Sequence, residues 1–346
     1  MSNTVRWTRR EALGALGALG VVAVGHAAAD ARRARNIVDV HSHYQPPAIR
    51  ALNLPGPMNA WDLGKQIDDM DVAGVSRAIL SVTTPGIPAP GEVGRRVARE
   101  SNEYAAKLAA DHGSRFGFFT CVPMDDMDAA LAEVAHGFDV LKAQGVGLFT
   151  SYSGHWLGDA QFDPLFTELQ RRGAIVFVHP TSAACCTRLI PEVPDTLIEY
   201  GTDTTRAIAS YVYRGAARRF PNVRMIWSHS AGTMPYLIER FDGADRSPQA
   251  KAQAPEGFRA SVARFWYDIA QASNPVATRA LRSVVPMERI VFGTDYPFRT
   301  SLDHVRGLES GKVFTGPEIA AIYRGNIAKG LLPLLSANVV VSTPAG

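Results

Sequence analysis

An α/β fold, an eightfold (β/α)8 barrel of the TIM type with a mononuclear metal site at its carboxyl-terminal mouth, is what the sequence predicts. Three observations predict it. Eight short apolar runs rich in Val, Ile and Phe recur along the chain, segments with helical periodicity lie between them, and four of the runs lead directly into a metal-type ligand. Parallel strands buried on both faces read as such runs, and in a barrel their carboxyl ends converge on one mouth.

The runs fall at residues 37–40, 78–82, 116–122, 146–149, 175–178, 223–227, 265–269 and 290–292. Each has the β-branched or aromatic content and the short length of a buried strand. Between them, 63–73 carries Ile67 and Met70 at helical spacing. Residues 93–110 alternate small and charged residues with the same period. Leu131, Val134, Phe138 and Leu141 mark 128–143, and Leu165, Phe166 and Leu169 mark 164–172. Strand alternating with helix implies right-handed crossovers and a parallel sheet. An open dinucleotide-binding sheet is disfavoured, because His41-Ser42-His43 stands where a Gly-x-Gly-x-x-Gly turn would follow the first strand. Pro-rich stretches at 54–58 and 84–90 follow the first two strands and read as mouth loops that shape a pocket or simply connect elements. The polar stretch 242–257 reads as an exposed loop, and 336–346 as a frayed tail.

Residues 1–29 have a separate logic. Arg9 and Arg10 precede the uncharged, Gly/Ala-rich stretch 14–24, and Ala27-Ala28-Ala29 offers a small-residue cleavage site. The apolar part is shorter than the ~20 residues that span a bilayer, so the mature chain is not expected to insert stably in a membrane. The pattern predicts a twin-arginine export signal cut near Ala29 and a periplasmic or extracellular protein; if the segment is not a signal, the chain is a cytoplasmic enzyme with an N-terminal extension. The formal charge is +3; three arginines against one glutamate make 1–29 worth +2, so its removal leaves +1. Such a balance gives no reason to expect nucleic-acid binding. Three cysteines, Cys121, Cys185 and Cys186, make no disulfide framework, and a vicinal pair cannot close an ordinary unstrained bridge.

His41 and His43, two apart on an extended strand end, point the same way, while Ser42 faces away. His179 in Val178-His179-Pro180 and Asp295 in Gly293-Thr294-Asp295-Tyr296-Pro297 occupy equivalent strand ends. Together these four form the expected ligand set of a divalent ion that keeps an open position, the catalytic pattern. His229, after Trp227-Ser228, is read as a nearby acid/base, histidine being the side chain that titrates near neutrality, or else as a fifth ligand. His155 follows the fourth run and could face the mouth; His112, His136 and His304 read as solvated helix residues.

The motifs Asp39-Val40-His41-Ser42-His43, Phe177-Val178-His179-Pro180-Thr181, Ser228-His229-Ser230-Ala231-Gly232-Thr233-Met234-Pro235 and Gly293-Thr294-Asp295-Tyr296-Pro297-Phe298 appear in the order and approximate spacing of a known family. Over residues 36–335 the chain resembles the amidohydrolase superfamily. Within it, the likeness is to the non-oxidative decarboxylases that include aminocarboxymuconate-semialdehyde, γ-resorcylate and 6-methylsalicylate decarboxylases. Ser81-Val82-Thr83-Thr84-Pro85-Gly86 and Val146-Gly147-Leu148-Phe149-Thr150 look most like the 6-methylsalicylate group. The resemblance implies one zinc or manganese ion on His41, His43, His179 and Asp295 and no organic cofactor. It also implies a carboxylic acid substrate, protonated at a ring carbon by Asp295 or His229 before carbon dioxide leaves. It makes Arg240 a contact to the substrate carboxylate of a neighbouring subunit, hence a homodimer or homotetramer, and Phe298 a pocket aromatic. Binuclear members carry a carbamylated lysine after the fourth strand, which is lacking here, so one metal is expected. The segment 52–62 lacks the arginine that aminocarboxymuconate-semialdehyde decarboxylases use, which points to another substrate. The alternative reading is a hydrolase in which the same ion activates water to open a lactone or amide; a silent barrel acting as a binding protein is the third.

Overall fold

The structure, a computed structural model, describes residues 35–54 and 56–331. The expected export segment 1–29 and the tail 336–346 lie outside the described residues. Eight parallel strands run in sequence order: β1 (Ile37–His43), β2 (Val75–Ser81), β3 (Phe116–Thr120), β4 (Gly145–Phe149), β5 (Ile175–His179), β6 (Arg224–Trp227), β7 (Trp266–Asp268) and β8 (Ile290–Val291). Each pairs with the next. Backbone bonds from Val40 N to Phe292 O (3.0 Å) and from Asp295 N to His41 O (2.8 Å) tie the last strand to the first. All eight strands coincide with the eight apolar runs.

Alternation along these strands builds two layers. Val38, Val40, Ile79, Phe119, Ile175, Phe177, Ile226 and Val291 fill the barrel, and the opposite faces pack under the helices. The helices include α1 (Leu63–Ala73), α2 (Gly91–Asp111), α3 (Met127–Ala135), α4 (Asp163–Arg172), α5 (Asp195–Tyr213), α6 (Ile238–Ala244), α7 (Pro248–Gln253), α8 (Pro275–Arg282) and α9 (Ser301–Ser310). Local chemistry sets their ends. Asp62 caps α1 by accepting from Lys65 N, and Gly74, at φ 83°, closes it in the left-handed conformation that glycine tolerates. Asn274 accepts from Val276 N and Ala277 N ahead of Pro275 in α8. Among the described residues no helix is long and apolar enough to cross a membrane.

Four expectations need correction. The stretch 242–257 is largely helical: α6 enters it, and Ser247, accepting from Ala250 N ahead of Pro248, starts α7. A Ser-Pro pair is a helix start as readily as a loop signal. The helix expected over 128–143 ends at Ala135 and continues as one wide turn, His136–Val140. His304 is fully buried on α9 rather than solvated, its Nδ1 3.1 Å from Ser273 Oγ. Cys185 and Cys186 are joined as a vicinal disulfide on the exposed loop after β5.

Candidate metal centre

β1 delivers two imidazoles to the mouth. His41 and His43 share a side of the strand with Nε2 atoms 3.1 Å apart, while Ser42 faces the other way and accepts from Gln66 Nε2 at 2.8 Å. Asp295, on the loop after β8, sets Oδ1 2.9 Å from His43 Nε2 and 3.1 Å from His41 Nε2. His179 ends β5 with Nε2 3.8 Å from the same oxygen. His229, two residues past β6, lies 3.4 Å from Asp295 Oδ2 through Nε2. Ligand atoms of His41, His179, His229 and Asp295 all fall within 4.8 Å of one another. The four expected ligands and His229 therefore meet at one point, and His229 sits within both ligand and acid/base range.

Each ligand-type histidine is held from behind. His41 Nδ1 lies 2.9 Å from Asp268 Oδ2, His43 Nδ1 lies 3.2 Å from Ser81 O and 3.1 Å from Ser81 Oγ, and His179 Nδ1 lies 2.8 Å from Pro180 O. Carboxylate and carbonyl acceptors place the ring hydrogen on Nδ1 and leave the Nε2 lone pairs facing the cluster, the tautomer that a metal requires. This donor set, three neutral Nε2 atoms and a carboxylate oxygen, fits a divalent ion of the zinc or manganese type.

The charges are consistent with that fit. Burial acts to raise the Asp295 carboxyl, but the imidazoles, His41 foremost, outweigh it and hold it well below the carboxylate range. Burial acts to lower His41, yet Asp268 and Asp295 together raise it to about 10. His179 is lowered to about 3 and His43 is lowered too, both by burial first. The two buried carboxylates thus favour a positive charge at His41, while burial disfavours charge on His43 and His179. A metal cation would take the place of that proton.

Two carboxylates that sequence reasoning left without a role organise the mouth. Asp268, the last residue of β7, takes His41 on Oδ2 and accepts His229 N and Ala270 N on Oδ1, each at 3.0 Å. Asp39 accepts His41 N at 2.9 Å, Thr294 N at 3.1 Å and Thr294 Oγ1 at 2.6 Å, fastening β1 to the loop that carries Asp295. Gln271 was also missed; its Nε2 donates to Asp295 Oδ2 at 3.0 Å. Position at a strand end was a signal available for Asp268. Nothing local marks Gln271.

Of the remaining expected residues, Phe298 lies edge-on to His43 at 5.9 Å between ring centroids and is 43% exposed. Arg240, on α6, is exposed; its backbone N–H bonds Leu237 O at 2.9 Å, and its guanidinium makes no hydrogen bond or ion pair among the described residues. His155 does not join the cluster; it is exposed and pairs with Asp159 at 3.1 Å.

A family model described as amidohydrolase matches residues 38–331. The chain belongs to the amidohydrolase family. This amidohydrolase is similar to the 6-methylsalicylic acid decarboxylase of Penicillium expansum, 34% identical over 273 residues that cover 75% of this chain and 84% of that protein. A decarboxylase of Aspergillus niger is 32% identical over 322 residues, covering 86% and 87%. Among solved structures, the dihydroxybenzoic acid decarboxylase of Polaromonas sp. with bound manganese and 2-nitroresorcinol superposes with a TM-score of 0.76 at 18% identity, covering 88% of this chain and 97% of that one. At that identity the likeness concerns the barrel itself.

Proposed function

We propose that this amidohydrolase is a metal-dependent non-oxidative carboxy-lyase acting on a hydroxylated aromatic or related unsaturated carboxylic acid, of the 6-methylsalicylate type. The observation that carries the reading is the convergence of three imidazole Nε2 atoms on Asp295 Oδ1 with every opposite ring nitrogen tied to an acceptor. Relatives of that activity at 34% identity support it.

His41, His43, His179 and Asp295 would hold one divalent ion, zinc or manganese, which when bound supplies a Lewis-acid anchor for the substrate carboxylate and its neighbouring oxygen. His229, partly buried with Nε2 3.4 Å from Asp295 Oδ2, is assigned to hand a proton to the ring carbon that bears the carboxylate. The new C–H bond takes a pair of ring electrons, and cleavage of the bond to the carboxylate returns a pair to the ring as carbon dioxide leaves. Gln271 occupies Asp295 Oδ2 from the outer side and fixes the orientation of that carboxylate. Phe298 offers an aromatic edge to a planar substrate. Arg240, whose guanidinium has no partner among the described residues, is assigned to the carboxylate of a substrate in a neighbouring subunit, so the working unit is at least a dimer. Residues 1–29 are assigned to twin-arginine export, which fractionation of cells producing the wild type and an Arg9→Lys/Arg10→Lys variant tests.

The experiment for the activity is metal analysis of the purified protein followed by carbon dioxide release from a panel of hydroxybenzoates. About one ion per chain with carbon dioxide evolved is expected. Absence of any bound divalent ion, or hydrolysis of lactones without carbon dioxide release, overturns the reading.

A further inference from the structure

The barrel mouth has two unlike halves. Every side chain of the metal cluster comes from β1 or from the ends of β5, β6 and β8. The loops after β2 and β3, together with β4 and the turn that follows it, line instead a cavity of about 350 Å³, whose apolar lining includes Ile87, Pro88, Val122, Met124, Gly147 and Phe149. The Pro-rich loop 84–90 noted in the sequence forms much of its wall. Its size reaches the lower end of the range found for small-molecule pockets. The carboxylate on its edge, Asp125, is already engaged, accepting Gly91 N at 2.8 Å. The Tyr152 hydroxyl oxygen accepts Phe149 N–H at 2.8 Å.

Phe149 joins the two halves. In the β4–β5 register it stands opposite His179, and its ring lies 6.1 Å from the His179 imidazole. Phe149 also lines the cavity. The floor is open because residue 147 is glycine. A Cβ built there meets only Phe119 Cβ at 3.6 Å and Thr120 O at 4.0 Å, ordinary contacts, so the position accepts a small side chain at the edge of the cavity that it lines.

We propose that this cavity is a second subsite of the reaction centre, which takes an apolar substituent of the substrate while the carboxylate sits at the metal. The preferred substrate class is then an aromatic acid carrying an alkyl chain longer than methyl, since a methyl group fills little of such a volume. This inference rests on the carboxy-lyase reading for its reaction and on the cavity for its selectivity, and the two are separable by experiment.

The test uses the full-length, metal-loaded protein and three probes: salicylates bearing methyl, propyl or pentyl at position 6. Dissociation constants are measured by calorimetry and carbon dioxide release in parallel. Affinity should rise about fourfold per added methylene, the transfer free energy of a buried CH2 expressed as a ratio. Gly147→Val, which fills the floor with a strand-compatible side chain, should abolish that slope. Ile87→Trp, which fills the cavity from the loop, provides the same test without touching the barrel. A flat series in the wild type overturns the subsite, as does a slope that survives both variants with metal content intact. A slope without carbon dioxide release upholds the subsite and removes the carboxy-lyase reading; carbon dioxide release with a flat series does the reverse.

Discussion

Asp268→Asn is the substitution that probes the metal centre most selectively. The side chain is fully buried, and its two oxygens have separate tasks: Oδ2 takes the His41 Nδ1 hydrogen at 2.9 Å, and Oδ1 accepts His229 N and Ala270 N, both at 3.0 Å. An asparagine amide is nearly isosteric and keeps the Oδ1 acceptor, so the backbone bonds persist. On the other side it presents N–H to His41 Nδ1, which must then accept. The His41 hydrogen moves to Nε2, the atom that faces His43 and Asp295, and its lone pair is no longer available to an ion. Loss of such a partner typically lowers metal affinity 10–100-fold, or about 1.4–2.8 kcal/mol. Competition with a chelator of known affinity, read by metal analysis of the dialysed protein, measures the change, with circular dichroism confirming that the barrel is folded. A competition curve superimposable on that of the wild type would refute the reasoning, because it would mean that His41 is either not a ligand or not oriented by Asp268.

His229→Asn should retain the bound ion while carbon dioxide release falls on the order of 10²–10⁴-fold; loss of the ion from that variant would instead place His229 among the ligands. Arg240→Ala and Asp295→Asn should each be inactive alone, and mixing the two under conditions of subunit exchange should restore part of the activity, as only a residue acting across an interface allows. His304 supplies a pH-dependent prediction: burial lowers its imidazole from 6.5 to about 4, and Nε2 has no partner among the described residues. The folded state therefore resists protonation that the unfolded chain accepts. Stability is unaffected above pH 6.5 and is lost as pH falls through that value towards 4, by about 2 kcal/mol at pH 5. In urea titrations at pH 7.5 and 5, His304→Gln should shrink the difference between the two pH values by that amount, and an unchanged difference would contradict the assignment.

The barrel was legible because each strand carries its own signature. A run such as Ile175–His179, apolar and ending in histidine, states both its burial and its end. The four candidate ligands were legible for the same reason, each standing where a buried run meets the mouth. Residues whose role depends on distant partners were not. Asp268 sits at a strand end like the histidines, but its task is defined by His41, 227 positions away. His304 reads as a surface helix residue, yet in the fold it is fully buried, with Nδ1 3.1 Å from Ser273 Oγ. The segment 242–257 misled because polarity and Gly/Pro content describe exposed short helices as well as loops.

The backbone at the mouth explains why the site resists a purely local reading. His229, Ser230 and Ala231 lie at φ 53°, 55° and 67°, Gln271 at 54° and Asp295 at 62°. For residues other than glycine such left-handed conformations cost on the order of 1–2 kcal/mol each, and no sequence signal marks them. They persist because long-range bonds hold them: Asp268 Oδ1 fixes His229 N, and His41 O receives Asp295 N at 2.8 Å. The same Asp268 that accepts the His41 Nδ1 hydrogen also binds His229 N, so one buried carboxylate links the proposed ligand to the proposed acid/base. Five of the eleven non-glycine residues with positive φ among the described residues thus lie at the mouth, and backbone strain held there by long-range bonds suits a preorganised site. It also sets the order of sensitivity expected along the chain: substitutions that loosen Asp268 or Asp39 should disturb the centre more than comparable changes among the outer helices.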